Sequence, residues 1–144
     1  MKTEKAEVIR EYFENGQLYS ESYFLNRKRH NPNGPARRDW FENGQLYLEE
    51  YFLNGKRHNP NGPAYQEWYD NGQLKSESYF INGEVHNSNG PACREWWEDG
   101  EIYTKSYYLN GKELTKKEFE ALSKPACNGK VVKIDGKKYK LTEI

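Results

Sequence analysis

No apolar run in this chain approaches the roughly 18 residues that a membrane-spanning helix needs, so none is expected. Met1 to Glu7 carries charges with no apolar stretch behind it, so no secretory signal is expected. Cysteine is scarce. Cys93 and Cys127 have no metal-ligand spacing, and without an export signal the reading is two reduced thiols in a cytoplasmic protein. Neither sign of charge prevails, because 22 Lys+Arg balance 22 Asp+Glu. Zero net charge argues against a broad grip on nucleic acid and equally against a polyanionic mimic of it. It also weakens a membrane-surface reading. No Ser-His-Asp set, His-x-x-x-His pair or phosphate-binding glycine loop occurs. Carboxylate neighbours such as Glu49–Glu50 and Glu98–Asp99 alternate faces or sit at turns, and read as solvated. The expectation is no enzyme and no cofactor.

Apolar residues reach only 35%, yet aromatics reach 15%. All 12 glycines follow Asn or Asp, in ten Asn-Gly and two Asp-Gly pairs, and five of the six prolines flank one kind of these pairs. Such pairs are the strongest short-range signal for tight β-turns. The turns recur with a period of 28. Asn15-Gly16-Gln17-Leu18 returns at 43–46 and 71–74, and decays to Asp99-Gly100-Glu101-Ile102. His30 to Ala36 reads His-Asn-Pro-Asn-Gly-Pro-Ala, returns at 58–64, and becomes His-Asn-Ser-Asn-Gly-Pro-Ala at 86–92. The repeats are 7–34, 35–62, 63–90 and a truncated 91–113. Residues 1–113 therefore form a four-repeat array, and 114–144 form its C-terminal cap.

Each repeat folds on paper into two long strands and one short one, in an elongated antiparallel β-meander. Asn43-Gly44 predicts a two-residue type I′ turn between the long strands. That turn sets Glu42 opposite Gln45, Phe41 opposite Leu46, Trp40 opposite Tyr47 and Arg38 opposite Glu49. One face then carries Ala36, Arg38, Trp40, Tyr47, Glu49 and Tyr51. The other carries Asp39, Phe41, Leu46, Leu48, Glu50 and Phe52. Aromatic columns run across the repeats: Tyr12/Trp40/Trp68/Trp96, Phe13/Phe41/Tyr69/Trp97, Tyr23/Tyr51/Tyr79/Tyr107, Phe24/Phe52/Phe80/Tyr108 and Tyr19/Tyr47/Tyr103. Most of this aromatic surface is expected to serve as core, since stacked pairs add about 0.5–1.5 kcal/mol each beyond area burial. Thr115 to Glu118 is a capping box, which predicts a helix over 116–123 ending before Pro125. A hairpin, Val131–Ile134 and Lys137–Leu141, follows. Helix and hairpin are expected to cover the last sheet edge. The N-terminal edge has no cover, which makes it a candidate homodimer surface.

Tyr51 to Lys56, His58 to Ala64, Tyr79 to Gly83, His86 to Ala92 and the Asn-Gly-Gln-Leu phrases resemble MORN (membrane occupation and recognition nexus) repeats, in their bacterial and viral variant. The usual unit is shorter and rich in Gly-x-Gly; this one has 28 residues and none. The resemblance implies a scaffold or protein-binding module with no catalytic residue, and proposed lipid contacts in some members. Some relatives are described as antitoxin-like, so a phage- or virus-derived inhibitor of a host protein is one form of this reading.

The first place to look for a ligand is the row Tyr19, Tyr47, Lys75 and Tyr103, with Arg38 and Arg94 beside it. Lys75 breaks the tyrosine column with no compensation visible in the sequence. A protein partner is the leading expectation. A carbohydrate or nucleotide stacked on the tyrosines is the alternative, and a membrane-surface scaffold the third. His30, His58 and His86 form a secondary stripe. Successive histidines lie two or three strands, roughly 10–14 Å, apart. A single ion needs ligands at about 2 Å, so no metal is expected.

Overall fold

A computed structural model describes residues 4–123, 131–134 and 137–140. The chain is mainly β, an open antiparallel meander with one short helix near its C-terminus. The long strands are β1 (Ala6–Tyr12) and β2 (Leu18–Leu25), β4 (Arg37–Trp40) and β5 (Leu46–Glu50), β8 (Tyr65–Trp68) and β9 (Leu74–Ser78), and β12 (Cys93–Trp96) and β13 (Ile102–Leu109). Each pairs with the next along the chain, so the sheet runs β1-β2-β4-β5-β8-β9-β12-β13. After each second long strand comes a short ribbon. These are the end of β2 with β3 (Lys28–Arg29), β6 (Phe52–Leu53) with β7 (Lys56–Arg57), β10 (Phe80–Ile81) with β11 (Glu84–Val85), and the end of β13 with β14 (Lys112–Leu114).

The two kinds of Asn-Gly pair build different turns. The short ribbons turn on two residues with positive φ at both: Asn54 (51°) with Gly55 (82°), Asn82 (51°) with Gly83 (86°), and Asn110 (49°) with Gly111 (76°). That is type I′ geometry, and Leu53 faces Lys56 across it. The long hairpins differ from expectation. Asn43 is not among the positive-φ residues, whereas Gly44 has φ 84°. The Phe41 N–H donates to Gln45 O at 2.8 Å, and Gly44 N–H donates to Phe41 O at 2.9 Å. The loop is therefore three residues, a type I turn closed by a left-handed glycine. Asn43 Oδ1 holds it by accepting the Gln45 N–H at 2.9 Å.

A β-bulge between Asp39 and Trp40 absorbs the extra loop residue. The two shifts cancel beyond the bulge, so Arg38 faces Glu49 as the repeat arithmetic requires. Near the turn they do not cancel. Trp40 faces Leu46 rather than Tyr47, and Phe41 closes on Gln45 rather than Leu46. The same bulge recurs at Glu11/Tyr12, Glu67/Trp68 and Glu95/Trp96.

The interior is not the aromatic stack that composition suggests. Among the described residues the fully enclosed apolar ones are small, Ala36, Ala64 and Ala92, each followed by a first long strand. Among the described residues the largest fully buried side chain is Asp39, at 1% exposure, and Glu50 is at 3%. Most column aromatics are half-buried, because an open sheet of one layer has nothing to cover their outer edges. The carboxylates are held by neighbours. Asp39 accepts from Ser20 Oγ at 2.7 Å and pairs with Arg37, and Glu50 pairs with Arg57 and Arg37.

Helix α1 (Lys116–Ser123) begins as the capping box requires. Glu118 N–H donates to Thr115 Oγ1 at 3.2 Å, and Thr115 N–H donates to a Glu118 carboxylate oxygen at 2.8 Å. Buried Phe119 sets its ring 4.9 Å from Tyr107. Strands β15 (Val131–Ile134) and β16 (Lys137–Lys140) pair as the expected final hairpin; Cys127 and Leu141 lie outside the described residues. The helix and β14 cover β13 only over Tyr107–Leu109, and Ile102–Lys105 stays exposed.

In the first repeat Arg27 takes the place of the short-turn glycine, at φ 66°. A side chain in the left-handed region costs about 1–2 kcal/mol. Arg27→Gly is therefore expected to raise the thermal midpoint by a few degrees. An unchanged or lower midpoint in thermal melts would show that this turn carries no strain.

Candidate functional site

The bulge that corrects the register also decides where the candidate row points. Without it Tyr47 would share a face with Arg38 and Glu49. With it Tyr47 turns to the face of Asp39 and Leu48, since a bulge re-aims the residue it inserts. Its ring meets Phe41 edge-on, with centroids 5.0 Å apart. Tyr19 meets Phe13 at 5.2 Å, and Tyr103 meets Trp97 at 4.4 Å. These tyrosines remain open, at 42%, 36% and 57% exposure for Tyr19, Tyr47 and Tyr103. Three of the four repeats thus present one pair of rings near the long-hairpin tip, with successive repeats at a pitch of two strands, about 10 Å.

Lys75 belongs to the same row, and the structure supplies the compensation that the sequence conceals. Its ammonium lies 5.7 Å from the Tyr69 ring centre, a cation–π contact where the other repeats place two rings. It also donates to Glu67 Oε1 at 2.7 Å. That hydrogen bond raises the lysine above its ordinary value, against the opposing effect of desolvation. Glu67 in turn accepts the Tyr65 hydroxyl at 2.9 Å. Burial first, and then this hydrogen bond, push the Tyr65 phenol up to about 12.

The structure separates Arg38 and Arg94 from the row. Arg38 pairs with Glu49 at 2.9 Å, and Arg94 pairs with Glu77 at 2.6 Å, on the opposite face. Arg94 faces Lys105 in its own hairpin but reaches back to the preceding repeat, where opposite charge is available. On that opposite face two clefts of about 590 and 400 Å³ repeat the same lining 28 residues apart. Tyr51, His58 and Gln66 line the first, and Tyr79, His86 and Arg94 line the second.

The histidine stripe is a structural ladder. His30 Nδ1 accepts the Asn54 N–H of the next repeat's turn at 3.0 Å, and His58 and His86 do the same for Asn82 and Asn110. These bonds require the tautomer with the proton on Nε2. Among the described residues, no three His, Cys, Asp or Glu side chains are grouped to hold a metal ion. Asn31, Asn59 and Asn87 close the proline-flanked turns, each accepting a backbone N–H two residues on and donating to the Pro35, Pro63 and Pro91 carbonyls.

Two features escaped the sequence reading. The long-hairpin tips carry an exposed acid in every repeat, Glu14, Glu42, Asp70 and Glu98. The short ribbons of the first two repeats carry Arg27, Lys28, Arg29, Lys56 and Arg57. Zero net charge thus conceals two edges of opposite sign. The 28-residue alignment holds that signal, since the acid precedes every long-turn Asn or Asp. Arg29 Nε is buried without a hydrogen-bond partner among the described residues, because Ser22 stands where Glu50 serves Arg57. Its guanidinium lies instead 5.7 and 5.9 Å from the Phe24 and Phe52 rings.

The matching of the repeat itself now decides the family. A family model described as the MORN repeat variant matches residues 8–26, 36–57 and 64–82. This is a MORN-like repeat protein. Each matched segment spans one long hairpin, and the second also takes in a short ribbon, β6–β7. The comparisons with curated proteins and with solved structures return no match. MORN repeats are in general protein- or membrane-binding modules, and the family is a non-catalytic one.

Two outcomes follow. His58→Ala removes the acceptor for an exposed amide and should lower stability by about 0.5–1.5 kcal/mol, read as a lower denaturant midpoint. The raised Tyr65 phenol means that the native state holds this proton more tightly than the unfolded chain does. Its contribution is complete below pH 10 and lost as pH rises through about 12. Tyr65→Phe should flatten that alkaline loss relative to the parent protein, measured as midpoint against pH.

Proposed function

We propose that this protein is a non-catalytic protein-binding module whose contact surface is the row Tyr19, Tyr47, Lys75 and Tyr103. The observation that carries the reading is the periodic exposure of that row. The first, second and fourth repeats present an open tyrosine packed on a second ring, and the third presents a lysine on Tyr69. Aromatic side chains supply large contact area at low entropic cost, and they dominate interface hot spots. The acidic tips beside the row favour a partner surface that mixes apolar and basic groups. Arg38 and Arg94, on the other face and paired to glutamates, take no part in this contact.

In its narrower form the partner is a host protein that a phage- or virus-derived chain inhibits, or a toxin that it neutralises. That form rests on the family resemblance. The test is co-purification from the native cell with cross-linking mass spectrometry, beside a Tyr19→Ser, Tyr47→Ser, Tyr103→Ser variant. Cross-links at the tip row, with recovery at least tenfold lower for the variant at unchanged circular dichroism, support the reading. Equal recovery would move the contact elsewhere, and cross-links confined to lipid would replace the protein partner.

A further inference from the structure

At every internal junction of the array, the second strand of one repeat pairs with the first strand of the next in a fixed register. Glu21 faces Arg38, Glu49 faces Gln66, and Glu77 faces Arg94. The last second strand, β13, offers the same edge with nothing paired to it over Ile102–Ser106 among the described residues. Ile102 and Tyr103 at its turn end are more than half exposed. At the position where each earlier repeat carries glutamate, β13 carries Lys105, exposed and already beside Arg94. The sign of the edge is reversed.

That reversal selects the occupant. A second copy of this chain, continuing the array, would bring its β1 to the edge and set Arg10 against Lys105. Like charges directly opposite are destabilising. Position 8 of that copy would also have to enter a junction. The equivalents Ala36, Ala64 and Ala92 are fully enclosed there, and Val8 is too large for the space. Phe119 against Tyr107 occupies the far end of the same junction. The β15–β16 hairpin is a poor occupant for the same electrostatic reason, since Lys133, Lys137, Lys138 and Lys140 lie along it.

We propose that the open edge of β13 is a strand-addition site for an extended segment of another protein, with a carboxylate opposite Lys105. Strand addition supplies main-chain hydrogen bonds, and the side chain opposite Lys105 supplies selectivity. This site shares Tyr103 with the tyrosine row but engages the main chain of β13 rather than the rings, so the peptide ranking can fail without bearing on that reading.

The probe is a blocked synthetic peptide of residues 65–70, carrying Gln66→Glu or Gln66→Lys, titrated into the full isotope-labelled chain. In the register of the internal junctions, its second residue lies opposite Lys105. The Glu peptide is expected to shift the amides of Ile102–Ser106 and to bind about three- to tenfold more tightly than the Lys peptide. Lys105→Glu restores the residue type of the other three repeats, so it should fold, and it should reverse the ranking. Peptides of equal affinity, no shift confined to 102–106, or an unchanged ranking in Lys105→Glu would overturn the proposal. So would head-to-tail association of the parent protein in sedimentation.

Discussion

The hydrogen bonds that each repeat gives to the next are the constraint on which the rest of this structure depends. Tyr23, Tyr51 and Tyr79 donate their backbone N–H to Ala36, Ala64 and Ala92 of the following repeat at 2.8 Å. Gly55, Gly83 and Gly111 donate back across the ribbons to Arg29, Arg57 and Val85, and the histidine Nδ1 atoms take the neighbouring turn amides. An open sheet of one layer buries little apolar surface, so this ladder takes the place of a conventional core. Each repeat leans on its neighbours, as repeat arrays do. The ladder explains the alanines, because a larger side chain would force the junction apart. It also explains the buried carboxylates. Asp39 and Glu50 lie where two strands close over them, and each keeps a guanidinium partner.

The repeat ladder fixes spacing, and the bulge fixes direction. One extra loop residue at the long turn, balanced by one bulge, leaves the far register intact and reverses the side chain between them. Tyr19, Tyr47, Lys75 and Tyr103 thereby leave the face of the Arg38–Glu49 and Arg94–Glu77 pairs and join the rings of Phe13, Phe41, Tyr69 and Trp97. The candidate surface is thus a product of turn chemistry repeated four times, not of any single residue. Charge follows the same logic. Long tips and short ribbons lie at opposite ends of each repeat, so a fixed residue type at each becomes an acidic edge and, in the first two repeats, a basic one.

The amino-acid sequence by itself determined the period, the hairpin order, the helix with its capping box, and the register away from the turns. Each rests on local rules: Asn-Gly pairs, strand alternation and Thr115 with Glu118. The pairing of Arg38 with Glu49 was legible for the same reason, because it follows from the repeat length alone. Tertiary structure decided what local rules leave degenerate. An Asn-Gly pair can close a two-residue or a three-residue loop, and only the pairing of whole strands selects between them. That choice set the face of Tyr47. Burial was likewise undecided in the chain, because whether an aromatic column is core or surface depends on a second layer, and among the described residues none covers it. The role of the histidines becomes visible only when residues 24 apart are brought side by side, and the partners of Lys75 only when β8 and β9 pair.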